Sequence, residues 1–215
     1  MQTTLAEMAD SRGRNGWIGT YADVLPGACQ DYLLLESGAS RLSAYEAQRI
    51  PALLQTPDYA RALAEASPGL AGEDAQDRVV EATLARQKAI FGERKPDVHL
   101  IIGEAALHQE VGGPAVMHGQ LGLLAGISGD SGLITVQILP FSSGAHAAAG
   151  LGSLTILQFP HAPGLGVVYL DGARGGVCLE TQADLAAYVR TFEQLRAFAL
   201  SPAQSALMLR GQTAA

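Results

Sequence analysis

Lysine is nearly absent from this chain: Lys88 and Lys95 are the only two in 215 residues. With arginine counted, 14 basic residues stand against 21 acidic ones, a formal net charge of -7. Affinity for a phosphate backbone comes from cationic side chains that displace counterions, so this balance argues against unaided binding of free nucleic acid. Cysteine is as scarce. Cys29 and Cys178 are too few for a disulfide framework, and they lack Cys-x-x-Cys spacing, so both are expected as reduced, partly buried thiols. Long apolar runs are missing too: no stretch would span a bilayer, and Met1 to Asn15 has no apolar segment of the signal-peptide kind. A cytoplasmic protein with no membrane partner is expected.

The usual chemical signatures are also missing. Gly112-Gly113, Gly150-x-Gly152 and Gly172-x-x-Gly175-Gly176 lack the spacing of phosphate-binding loops and read as turns. There is no H-E-x-x-H, no paired Cys/His set and no G-x-S-x-G elbow. No metal and no cofactor is expected.

What is present is a well-punctuated series of elements. Tyr21 to Ala39 reads as two short helical pieces broken at Pro26-Gly27, and Arg41 to Glu46 alternates like a half-buried strand. Thr56-Pro57 has the form of an N-cap followed by proline at the first helical position, and Glu73 to Phe91 is an amphipathic helix. His99 to Ile102 reads as a buried strand, Ala115 to Ile127 as a helix, and Leu133 to Leu139 as a β-branched strand. Strand candidates at Ser153–Phe159, Gly166–Leu170 and Gly176–Leu179 are joined by short turns, which favours antiparallel neighbours. Thr181 caps a helix running through Phe198, and Ser201-Pro202 opens a last one. The expected fold is α+β: a mostly antiparallel sheet of about five strands packed against N- and C-terminal helices, with one strand-helix-strand unit. Residues 1–20 form a lead segment, 21–211 a single domain and 212–215 a tail. The roughly twenty residues before Tyr21 are too few for a helix-turn-helix.

Five histidines are the groups whose ordinary pKa suits acid-base work near neutrality. His99 begins a strand and His161 sits in a turn, which points to surface or capping roles. Glu104, at the end of a buried strand, could orient His108 or His118, and those three are the candidate catalytic residues. The alternative is that Glu104 pairs with Arg86 and fixes helix to sheet. Arg86-Gln87 in turn could hold Glu104 or a ligand carboxylate.

The strings Leu53-Leu54-Gln55-Thr56-Pro57-Asp58-Tyr59-Ala60-Arg61, Ala85-Arg86-Gln87, Gly103 to Leu107, Val111 to Met117, Gln120-Leu121, Val136 to His146 and Leu195 to Pro202, taken in order, resemble one family. It is the C-terminal domain of actinobacterial antitoxin-like, xenobiotic-response-element-type regulators. The resemblance runs from about Gly16 to Arg210. In that family a helix-turn-helix module precedes this domain, and the domain is taken to sense a ligand or small partner protein. Ala52 stands where the family has glycine, and His108 and His118 stand where it tends to have arginine, exchanging fixed for titratable charge.

Two functions are therefore carried forward. The first is a stand-alone binding protein for a small apolar metabolite or a partner protein, with Gln55, Tyr59, Arg86, Gln87, Glu104, Gln120 and His146 as polar contacts, and with no DNA binding of its own. The second is a cofactor-free cyclase, isomerase or dehydratase of secondary metabolism that uses Glu104 with His108 and His118 in the same cavity. A weaker third reading is a homodimer built on the helix Leu185 to Phe198.

Overall fold

The computed structural model describes residues 16–70, 72–94, 96–127, 132, 134–160, 164–172 and 175–213. Several expected features lie outside the described residues: the lead segment up to residue 15, the helix stop at Gly129, the strand start at Leu133, the turns at 161–163 and 173–174 with His161, and residues 214–215 of the tail.

The fold is α+β, built on one mixed sheet in the order β3-β2-β1-β4-β5-β6. The strands are β1 (Arg41–Glu46), β2 (Asp97–Gly103), β3 (Ile134–Leu139), β4 (Leu154–Gln158), β5 (Gly166–Leu170) and β6 (Val177–Leu179). About five mostly antiparallel strands were expected. Six form, and the β1–β2 and β2–β3 pairings are parallel, while β1–β4, β4–β5 and β5–β6 are antiparallel. Connection length explains the difference. A parallel neighbour needs a crossover of a dozen or more residues, and both the β1–β2 and β2–β3 connections are long enough to carry helices. The expected single strand-helix-strand unit is thus two in succession, followed by a meander of short turns.

The helices are α1 (Gly16–Thr20), α2 (Gly27–Gly38), α3 (Pro57–Glu65), α4 (Glu73–Ala89), α5 (Ala105–His108), α6 (Pro114–Ile127), α7 (Gln182–Phe198) and α8 (Pro202–Thr213). Alternation along the strands decides where they pack. Leu42, Leu100 and Ile138 face Leu33 of α2, Tyr59 of α3, Leu124 of α6 and Leu209 of α8 in one buried cluster. Tyr45, Ile101 and Ile156 on the opposite face meet Leu185, Phe192 and Leu195 of α7 in a second. Because β2 is covered on both sides, Val98, Leu100, Ile101 and Ile102 are all buried, which accounts for its nearly continuous apolar sequence. The N- and C-terminal helices cover the sheet as expected, and α4 packs alongside α3.

Local chemistry fixes the element starts. Thr56 accepts a hydrogen bond on its side chain from the Tyr59 N–H, with Pro57 in the first turn. Thr56→Ala is expected to lower stability by about 1 kcal/mol, read as a lower urea midpoint at unchanged slope. The outer edge of β3 is closed by the start of α8: Ile138 N–H donates to Ser205 Oγ at 2.9 Å, and Leu200 N–H donates to Ile138 O at 2.9 Å. The glycine pair 112–113 adopts positive φ (70° and 86°) immediately before α6, a turn role as the sequence suggested.

Candidate functional site

A cleft of about 340 Å³ opens between the first sheet face and helices α2, α3 and α4. Leu42 and Ala44 of β1 and Leu100 of β2 form its apolar floor, and Leu53, Leu63 and Ala82 contribute to its walls. Trp17 of α1 and Leu25, in the connection to α2, line it as well.

One wall is polar. On α2, Tyr32 and Glu36 are four residues apart and so share a helix face, and the Tyr32 hydroxyl donates to Glu36 Oε1 at 2.5 Å. Arg86 of α4 completes the group: Nε lies 2.7 Å from Glu36 Oε2, Nη2 lies 2.6 Å from Oε1, and Nη2 also donates to the Tyr32 hydroxyl at 3.2 Å. This is a bidentate pair in which the Glu36 side chain is only 1% exposed and that of Arg86 19%. Tyr32 stacks on Tyr169 of β5, with ring centroids 4.1 Å apart. Burial, reinforced by the Glu36 carboxylate, pushes the Tyr32 phenol well above its ordinary value. Burial likewise pushes Tyr169 up to about 12 and raises the Cys29 thiol, so all three line the cleft uncharged. Burial alone would draw the Arg86 guanidinium down, but Glu36 reverses that and holds it above its ordinary value. Gly176 is held to its residue type here, because a Cβ would meet the Tyr169 ring at 2.2 Å.

A second polar group lies at the exposed side of the cleft. Arg49 donates through Nε to Glu46 Oε2 at 3.3 Å and forms an ion pair with Asp171, while Ser153 Oγ donates to Glu46 Oε2. All four residues line the cleft.

The residues singled out in the sequence fall into three places. Arg86 and Gln55 line the cleft. Gln55, Tyr59, Gln87 and Gln120 are engaged in bracing the segment 50–56 that forms its rim. Gln55 Nε2 donates to Ile50 O, the Tyr59 hydroxyl accepts from Ile50 N–H, and Gln87 Nε2 donates to Ala52 O and Gln55 O. Gln120, fully buried, accepts from Thr56 N–H at 2.8 Å and donates to Leu54 O at 2.7 Å.

Glu104 and His108 lie elsewhere, at the ends of β2 and β3. Glu104 Oε2 accepts from Phe141 N–H at 2.6 Å, and Oε1 is 3.5 Å from His108 Nε2. His108 is exposed and stacks on the exposed Phe141. His118 is exposed on α6, and none of the three lines the cleft. The expected alternative partner of Glu104 is also corrected: Arg86 reaches from α4 to Glu36 on α2, while Glu104 at the end of β2 bonds the Phe141 N–H in the loop after β3.

His146 and His99 lie on the opposite sheet face. His146 packs edge-on to Tyr45, with its Nδ1 buried and without a partner among the described residues. His99 Nε2 sits 2.6 Å from Gln137 Oε1, and its ring meets Phe192 edge-on. Burial lowers the His99 pKa, partly offset by the Gln137 bond. The unfolded chain therefore takes up a proton near pH 6.5 that the folded chain refuses until lower pH. Stability is retained above that range and is lost as pH falls through it. His99→Gln is expected to flatten this part of the curve in urea titrations between about pH 7 and 5.

Tyr32, Glu36, Tyr169, Glu46, Arg49 and Asp171 were not singled out in the sequence. The signal for the first two was a carboxylate ending the apolar run Tyr32-Leu33-Leu34-Leu35-Glu36, which demands a partner once buried.

Residues 29–211 match the family model described as Domain of unknown function (DUF5753). The chain belongs to this family. No curated protein and no solved structure matches it. Both polar groups of this family member, Tyr32–Glu36–Arg86 and Glu46–Arg49–Asp171, fall within the matched span. Among the described residues no helix is long and apolar enough to cross a membrane, and no cluster of His, Cys, Asp and Glu could hold a metal ion.

Proposed function

We propose that this domain binds a small, largely apolar molecule in the cleft between β1 and helices α2 to α4, as the ligand-sensing part of the antitoxin-like regulators its sequence resembles. The observation that carries the reading is the cleft itself: about 340 Å³ of mostly apolar space walled on one side by a preformed Tyr32–Glu36–Arg86 group. Sites for small molecules span about 300–1,000 Å³ and combine apolar walls with a few fixed polar groups, so this cleft suits a ligand at the small end. The polar wall is held by its own bonds before any ligand arrives, so little ordering is left to oppose binding. The net charge of -7 is against a direct role in nucleic-acid binding. The acid-base alternative draws no support from the geometry, since Glu104, His108 and His118 share no enclosed space.

The test uses an untargeted pool. The protein is incubated with a small-molecule extract of bacterial cells, desalted and denatured, and the released compounds are identified by mass spectrometry. Ala82→Phe, which places a ring in the cleft from α4, serves as the blocked control. The expected result is a compound retained by the parent protein and lost from the variant, with unchanged mass. Compounds of altered mass in the pool would instead speak for catalysis, and equal retention by both proteins would remove the cleft from consideration.

A further inference from the structure

Four described residues lining the cleft carry formal charge: Glu46, Arg49, Arg86 and Asp171. Both cations are already committed. Arg86 is held bidentately by Glu36, and Arg49 is shared between Glu46 and Asp171. With Glu36 counted, two guanidinium groups face three carboxylates, so the surroundings of the cleft carry one net negative charge. An anionic ligand would give up its hydration here without gaining an uncommitted cation, and it would face the surplus carboxylate.

The polar atoms left over are specific. Arg49 and Ser153 both bond to Glu46 Oε2, which leaves Oε1 outside these bonds. Glu36 and Tyr32 engage Arg86 through Nε and Nη2, which leaves Nη1 outside them. Neither atom is among the fully buried, unpartnered ones. Arg49 likewise engages Glu46 and Asp171 through Nε and Nη2 and keeps its Nη1, so the cleft presents one carboxylate acceptor and two neutralised guanidinium donors to a ligand. Ala44, Thr155 and Tyr169 lie in one register row across the sheet, and Tyr32 stands over that row. Glu46 is two residues beyond Ala44 on the same face of β1, so its acceptor is offset from the row by about 7 Å along the strand.

We propose that the cleft selects an uncharged or cationic amphiphile, one that gives a hydroxyl or ammonium donor to Glu46, and that it rejects carboxylates and phosphates. This rests on the ligand-binding reading above and adds the charge class of the ligand.

Three matched probes separate the two. 3-Phenylpropanol, 3-phenylpropylamine and 3-phenylpropionate share one apolar body and differ in charge. Each is titrated into ¹⁵N-labelled protein while the indole N–H resonance of Trp17 is followed; Trp17 is the sole tryptophan and lines the cleft. The alcohol and the amine are expected to shift it, with the carboxylate at least about tenfold weaker than the amine. Glu46→Gln is expected to weaken the amine about tenfold and to leave the alcohol within about threefold, because the amide oxygen still accepts from a hydroxyl. An otherwise preserved pattern of backbone amide resonances reports that the variant is folded. A carboxylate that binds as tightly as the amine, or an amine indifferent to Glu46→Gln, would overturn the charge assignment while leaving ligand binding intact. No shift from any of the three up to their solubility limits would remove the ligand-binding reading, and the charge assignment with it.

Discussion

Glu36→Ala is expected to cost about 3–5 kcal/mol of unfolding free energy, because it leaves the Arg86 guanidinium buried without its counter-charge. Domains of this kind are held by about 5–15 kcal/mol in total, so the variant should lose about a fifth or more of its stability. The loss does not mean that the ion pair contributes that much relative to an apolar core. Desolvating both ions offsets most of their attraction, and a double replacement by methionine at 36 and 86 is expected to recover most of the stability. Urea unfolding of the two variants checks both statements. Recovery of stability without recovery of ligand retention in the double variant would place the role of the pair in the site. If Glu36→Ala unfolds with the parent midpoint, Arg86 has found another partner and the described wall is not the one that forms in solution.

Gln120→Ala is the second large effect. The residue is fully buried, and its amide bridges Thr56 N–H and Leu54 O across the start of α3. Truncation leaves two backbone groups without partners, each costing about 1–3 kcal/mol, so a loss of about 2–6 kcal/mol is expected. The braced segment forms the rim of the cleft through Ala52, Leu53 and Gln55, so ligand retention should fall together with stability. Thermal melts paired with the retention assay distinguish this from direct contact. A ligand-contacting Gln120 would lose affinity at nearly unchanged melting temperature.

The element boundaries were mostly legible in the sequence because their signals are local. Thr56-Pro57, Thr181 with Asp184, and the alternation of Arg41 to Glu46 each report on a few neighbouring residues, and each element forms there. The parallel half of the sheet was less legible. Whether a helix-bearing connection crosses over or returns depends on packing of the whole sheet, and β1 shows the same alternation for either partner. The site was legible in halves. Arg86 stood out as an arginine on a helix needing an apolar partner surface, but its partner Glu36 lies 50 positions earlier, and no spacing rule connects them. Glutamines 55, 87 and 120 were expected as polar contacts to a ligand, and the structure engages their amides with backbone carbonyls and N–H groups of one segment. A buried side-chain amide has the same sequence appearance whether it holds a loop or a ligand.

The claim that the cleft is a ligand site is tested most directly by a crystal structure of the protein soaked with 3-phenylpropanol. Density is expected between Ala44 and Ala82, with the hydroxyl toward Glu46 and the Tyr32–Glu36–Arg86 group in place. Density confined to the exposed Phe141 and Phe198, with the cleft closed by its own side chains, would contradict it.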